Sequence, residues 1–191
     1  MRLRDSSERC EDEGLMGALS GDVEDAIRVI QDYPKKGIPF KDLTTLWKNG
    51  KLTRKVNDAM ERRWRKAKLD KIVGIEARGF IVGAPLADRL GIGFVPARKV
   101  GKLPGSKVSV YYELEYGRQG IEMHTDSISK GERILIVDDL LATGGTSKAV
   151  ASLVERMGGK VVGFAFVTEV RGLSGRRKLR GHEVYSIAKN D

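Results

Sequence analysis

From residue 71 onward, short apolar runs alternate with stretches of helical periodicity. KIVGIE (71–76), GFVPAR (93–98), RILIVDD (133–139), KVVGFAFVTE (160–169) and HEVYSI (182–187) each read as strands. Ile134, Leu135, Ile136 and Val137 are consecutive and apolar, the mark of a strand buried on both faces of a parallel sheet. The spacing predicts a helix over Phe80–Leu90 and another from the glycine pair near 145 to about Met157. VSVYYELEYG (108–117) and IEMHT (121–125) alternate like paired antiparallel strands projecting from the sheet. Strands alternating with helices imply an α/β fold, with a mostly parallel sheet flanked by helices and ligands at the carboxyl ends of its strands.

The first part of the chain is patterned differently. Residues 1–20 are polar, mixed in charge and weakly periodic, which suggests a mobile extension or an appended tail, with residues 21–191 forming a single domain. Asp22 is positioned to cap a short helix running to about Gln31. DYPKKGIPFKD (32–42) is punctuated by Pro34, Gly37 and Pro39 and reads as a loop. Leu52, Val56, Met60 and Trp64 recur every four residues, one apolar stripe on a basic helix from about 51 to 68, and are expected to face the core.

Composition narrows the class. A hydrophobic share of 40% and a charged share of 32% suit a globular domain, and 191 residues can bury a full core. No run approaches the roughly 18 apolar residues of a membrane span, and no secretory signal is expected at the amino terminus. Cys10 is the only cysteine, so no intramolecular disulfide forms and a reducing cytoplasm fits. The net charge of +9 favours anionic ligands, a diphosphate or a nucleic acid among them.

The densest chemistry lies in ILIVDDLLATGGT (134–146), where a buried strand runs into Asp138 and Asp139 and then into Thr143-Gly144-Gly145-Thr146 at a helix start. Free N–H groups and the positive dipole end suit a phosphate there, and glycines allow its close approach. Two carboxylates do not bind phosphate; they accept from sugar hydroxyls or serve a nearby cation. The combination calls for a phosphorylated sugar. Neither G-x-x-x-x-G-K-[ST] nor G-x-G-x-x-G occurs. Elsewhere Arg78 sits in a strand-to-helix turn suited to an anion. Arg98, Lys99 and Lys102 precede a loop with Gly101, Pro104 and Gly105 that can close over a polyanion. Period two places Glu113 and Glu115 on one face of their strand. His124 and His182 have no second ligand at metal-site spacing and read as structural.

Val137–Thr146 resembles the phosphoribosyl-diphosphate (PRPP) motif of the type I phosphoribosyltransferases. YPKKGIPFKDLT (33–44), GIEARGF (74–80), ARKVGKLPG (97–105) and YELEYG (112–117) are similar, in order, to blocks of one subfamily, the adenine phosphoribosyltransferases. The resemblance spans roughly 22–188. It implies a type I phosphoribosyltransferase-like fold with a small hood and a flexible antiparallel lid, and a purine-salvage reaction in which adenine and PRPP give AMP and diphosphate. Asp138 and Asp139 are then expected at the ribose hydroxyls, and Ala142, Thr143, Gly144, Gly145 and Thr146 around the 5-phosphate. Arg78, Arg98, Lys99 and Lys102 are expected at the diphosphate. The Leu-Glu-Tyr-Gly match selects Glu115 as the catalytic carboxylate, near N7 and the N9 proton, with Tyr116 in the lid.

The base pocket implied by the resemblance uses Phe40 to stack on the ring and Val170 to cover its other face. The Pro39 carbonyl accepts from the 6-amino group and the Lys41 N–H donates to the ring N1. Pro39 departs from the apolar residue usual at this position, but a proline keeps the carbonyl and loses only its N–H. An oxo-purine presents the reverse pattern, leaving buried groups unpaired at about 1–3 kcal/mol each. The resemblance further implies Mg2+ held mainly by PRPP and water, with no direct protein ligand, and a homodimer. Two alternatives stay open: a phosphoribosyltransferase for hypoxanthine, guanine or xanthine, and a PRPP-sensing regulator that binds nucleic acid, for which residues 1–35 offer little room.

Overall fold

The computed structural model describes residues 6–114 and 117–190. The chain opens with α1 (Ser6–Ala26), an antiparallel ribbon of β1 (Arg28–Ile30) and β2 (Phe40–Asp42), one turn of helix α2 (Thr44–Trp47), and α3 (Gly50–Trp64). Then follow β3 (Lys71–Ile75), α4 (Arg78–Leu90), β4 (Gly93–Lys99), the hairpin β5 (Lys107–Leu114) and β6 (Gly117–His124), and β7 (Arg133–Leu141). The chain continues through α5 (Gly145–Arg156), β8 (Lys160–Val170), α6 (Gly175–Lys178) and β9 (Glu183–Asn190).

Seven strands form one sheet in the order β5-β6-β4-β3-β7-β8-β9. Strands β4, β3, β7, β8 and β9 are mutually parallel, and β6 joins β4 antiparallel at Arg98 and Lys99 alone. The hairpin therefore stands out from the sheet edge, attached at its base, as the alternating pattern predicts. The expected α/β fold is present, with four of the parallel strands within two residues of their predicted limits and β9 running three residues past its expected end, to Asn190.

The apolar run of β7 feeds two cores. Leu135 and Val137 pack on one face with Leu52, Val56, Met60 and Trp64 of α3, while Ile134 and Ile136 pack on the other with Val150, Leu153 and Val154 of α5. Period two sends alternate side chains to opposite faces, so a strand covered on both sides carries no polar position. The four-residue stripe of α3 is fully enclosed. Asn49 caps that helix, accepting from the Leu52 N–H at 3.1 Å.

The amino-terminal expectations need correction. The helix does not begin at Asp22 and run to Gln31; α1 crosses residue 20 and ends at Ala26, and 28–30 is strand. Leu19, Val23 and Ile27 are buried at intervals of four and join the α3 core. Asp22 pairs with Lys55 at 2.8 Å instead of capping. Three small contacts among glycines and charges make too faint a stripe to read locally. The basic helix ends at Trp64, short of 68, and Lys68 takes a left-handed φ of 50°. Within the expected 32–42 loop, Phe40–Asp42 is strand, because Phe40 pairs with Ile30.

Trp64, at 1% exposure, is among the largest enclosed side chains. Trp64→Ala is expected to cost about 3–5 kcal/mol, read as a lower urea midpoint with little change in m-value.

Candidate active site

The chain leaves β3 for β4 on one side and returns to β7 on the other. At such a switch point the loops after adjacent strands part and leave a crevice at their carboxyl ends. Residues 76–79 follow β3 and residues 138–146 close β7, so the first two anion-binding motifs flank this crevice.

Asp139 is fully enclosed, with the Arg78 Nε 3.1 Å from its Oδ2. That contact carries charge without hydrogen-bond alignment: both Asp139 oxygens lack a hydrogen-bond partner among the described residues. Asp138 accepts from the Asp139 N–H at 2.9 Å. Burial, and then the neighbouring Asp139 charge, push the Asp138 carboxyl well above the ordinary carboxylate value. Burial also raises Asp139, against the pull of Arg78. The enclosed Asp139 carboxyl thus keeps both oxygens without a hydrogen-bond donor among the described residues, next to the half-buried Asp138. Gly79 makes this closeness possible, since a Cβ there would lie 2.6 Å from the Val137 carbonyl oxygen.

The loop expected to hold a phosphate runs directly into α5. Gly144 adopts φ 74° at the start of α5, a left-handed conformation that turns the backbone into the helix. The first-turn N–H groups of α5 then face the loop mouth without helical partners. A rear support was missed by sequence reasoning. A Cβ on Gly175 would sit 2.2 Å from the Ala142 carbonyl oxygen, so the α6 turn lies directly against the loop. Arg176 holds that turn: its guanidinium donates to Glu169 Oε2 at 2.5 Å, to the Val184 carbonyl at 2.8 Å and to Ser186 Oγ at 2.9 Å.

The basic run divides. Arg98 faces Glu76, with Nε 3.2 Å from Oε2, and also donates to the Lys102 carbonyl at 3.0 Å. Burial opposes the charge on Glu76, but the Lys99 N–H and Arg98 outweigh it and hold the carboxyl below its ordinary value. The Lys99 and Lys102 side chains are exposed. Glu122, also missed from sequence, is completely enclosed; its Oε1 accepts the N–H groups of Gly101, Lys102 and Leu103 at 3.0, 3.1 and 2.8 Å. A buried carboxylate thus shapes the turn that presents Lys102. The only hint in the sequence was a charge at an inward position of β6.

On the hood side, the Arg78 guanidinium carbon lies 5.5 Å over the Phe40 ring, and Tyr33 meets Phe40 edge-on at 5.1 Å. Arg78 therefore bridges the expected base-stacking ring and the acidic pair. Pro39 is exposed and Lys41 half-buried beside Phe40. Val170 ends β8 on the same carboxyl edge and lines a cavity of about 140 Å3 with Leu141, Arg171 and Gly175. Glu115 and Tyr116 lie outside the described residues.

Comparison with known proteins identifies the family. A phosphoribosyl transferase domain model matches residues 42–188. An adenine phosphoribosyltransferase from Desulfitobacterium hafniense is 56% identical over 168 residues, 88% of this chain and 97% of the relative. The chain belongs to the adenine phosphoribosyltransferase family. A crystal structure of the family from Thermoanaerobacter pseudethanolicus is 49% identical and superposes with a TM-score of 0.86 over 88% of this chain and 98% of that one. The Saccharomyces cerevisiae adenine phosphoribosyltransferase, solved with an imino-altritol bisphosphate and adenine, is 38% identical with a TM-score of 0.83, covering 90% and 99%.

Two expectations follow for this adenine phosphoribosyltransferase relative. Gly175→Ala drives a methyl into the Ala142 carbonyl and displaces the phosphate loop; affinity for ribose 5-phosphate should fall at least about tenfold, more than 1.4 kcal/mol, measured by calorimetry. Asp138 holds its proton more tightly in the folded protein than in the unfolded chain. The stability this confers is complete below the ordinary value of 3.8 and is lost as pH rises through the raised one. Asp138→Asn should therefore unfold at higher temperature than the parent in neutral and alkaline buffer, by about 1–2 kcal/mol, with the gap closing in acid.

Proposed function

We propose that the protein transfers the phosphoribosyl group of PRPP to N9 of adenine, giving AMP and diphosphate. The observation that carries this reading is the buried Asp138–Asp139 pair beside a phosphate-type helix start, in a chain of the adenine phosphoribosyltransferase family. The aspartates accept from the ribose 2- and 3-hydroxyls, and residues Ala142, Thr143, Gly144, Gly145 and Thr146 cradle the 5-phosphate. Arg78, Lys99 and Lys102, with Arg98 behind them, offset the charge on the departing diphosphate. Phe40 stacks on the base, and Val170 covers its other face. The Pro39 carbonyl and the Lys41 N–H read the amino-pyrimidine edge. Glu115 manages the purine imidazole proton, and Tyr116 closes over the site.

The donor set fits Mg2+. Mg2+ would be held mainly by PRPP oxygens and water, as is the habit of this ion. The orphaned Asp139 oxygens, with Asp138, would accept from its water ligands or from the sugar hydroxyls. When bound, the ion supplies charge neutralisation for the diphosphate. The chain's own residues do the rest: they align N9 with the ribose carbon, hold the leaving group in place and shed water when the hairpin closes. The reaction is that of purine salvage. We place the protein in the cytoplasm as a homodimer, with residues 21–191 acting as one catalytic domain. Among the described residues no helix is long and apolar enough to cross a membrane.

The test is diphosphate release from PRPP and Mg2+ with adenine, hypoxanthine, guanine and xanthine offered separately. Release with adenine alone is expected. Release only with an oxo-purine would overturn the base assignment, and none with any base would overturn the reaction.

A further inference from the structure

The hairpin and the phosphate loop are joined by one hydrogen bond that the site description leaves unused. Tyr112, on β5 opposite Gln119 of β6, donates its hydroxyl to Thr146 Oγ1 at 3.1 Å. The Tyr112 ring packs with Val108 and Val110 on the core beneath α5, so the hydroxyl is delivered by a supported side chain. Burial, and to a lesser degree the Asp138 charge, raise the phenol above its ordinary value. The group is therefore a protonated donor throughout the neutral range.

A threonine hydroxyl has one hydrogen and two lone pairs. Left to rotate, Thr146 could point that hydrogen at any nearby acceptor, including a backbone carbonyl or the Asp138 carboxylate. Accepting from Tyr112 occupies a lone pair and restricts the rotor. The Thr146 hydrogen remains for a second partner, and Thr146 is the second residue of α5, where first-turn N–H groups already favour an anion.

We propose that Tyr112 is a positioning residue of the phosphate subsite, fixing the Thr146 hydroxyl as a donor to the phosphate ester and tethering β5 to the loop that binds it. The inference rests on the assignment of Ala142–Thr146 to the 5-phosphate and deepens it. Tyr112 stands three residues before Glu115 in the sequence.

The experiment compares binding of ribose 5-phosphate and of inorganic diphosphate by calorimetry, in the parent and in Tyr112→Phe, Thr146→Val, Thr146→Ser and the Tyr112→Phe/Thr146→Val pair. Tyr112→Phe removes one oxygen and keeps the ring. It should weaken ribose 5-phosphate about five- to tenfold, the size of one oriented hydrogen bond, and change diphosphate affinity by less than about twofold. In the Thr146→Val background the same change should cost nothing further, because the hydroxyl it positions is gone. Thr146→Ser should retain the sensitivity to Tyr112→Phe. In turnover, the KM for PRPP should rise with Tyr112→Phe more than kcat falls.

Equal ribose 5-phosphate affinity in parent and Tyr112→Phe would overturn the proposal. So would an equal loss for both ligands, which marks general damage, or additive losses in the double variant. Ribose 5-phosphate binding needs no turnover. A parent that binds it but releases no diphosphate with any base would overturn the reaction assigned above and still decide the role of Tyr112.

Discussion

The structure turns on the burial of two adjacent carboxylates where a strand enclosed on both faces runs out of sheet. Asp139 is enclosed with no hydrogen-bond partner among the described residues, and Asp138 answers by holding its proton. Such a pair is costly unless something arrives to use it. Everything close by moderates that cost or prepares for the arrival: Arg78 is set against Asp139, Gly79 lets α4 press up to the strand end, and α5 turns its unpaired N–H groups toward the same mouth.

Precision at the mouth comes from behind. The phosphate loop is a few residues of backbone with small side chains, which cannot hold their own shape. The α6 turn lies against it through Gly175, clamped by Arg176 and Glu169, while Tyr112 reaches it from the hairpin. The basic turn at 101–103 is treated alike, with the buried Glu122 gathering three N–H groups. In each case a rigid element supplies the order that a ligand-binding loop lacks.

The charge distribution follows the same logic. A net charge of +9 does not mean that every cation at the site is available, because Glu76 engages Arg98 while Lys99 and Lys102 reach solvent. Arg78 has two neighbours of different kinds, a carboxylate and an aromatic face, so it links Asp139 to the Phe40 ring. A substitution there would be felt on both sides at once.

How much of this was legible in the chain depended on whether the signal was local. The run Ile134–Val137, the acidic pair and the glycine pair are contiguous, and they fix a doubly buried strand, its end and a helix start without reference to anything distant. Alternation in 108–125 predicted the hairpin for the same reason, since period two is a property of neighbours. What the sequence by itself could not decide was every contact between residues far apart along it. The helix at 6–26 exists in its full length because Leu19 and Val23 find the α3 core, not because of a stripe of its own. Glu122 looked like one more charge until the fold enclosed it beneath residues 101–103, and Gly175 like one more turn glycine until α6 met Ala142. Periodicity and motif determined most of the elements after residue 70 and where the acidic pair meets a glycine-rich helix start. Tertiary structure alone determined which side chains hold that place rigid, because enclosure and hydrogen-bond partnership arise only when distant segments meet.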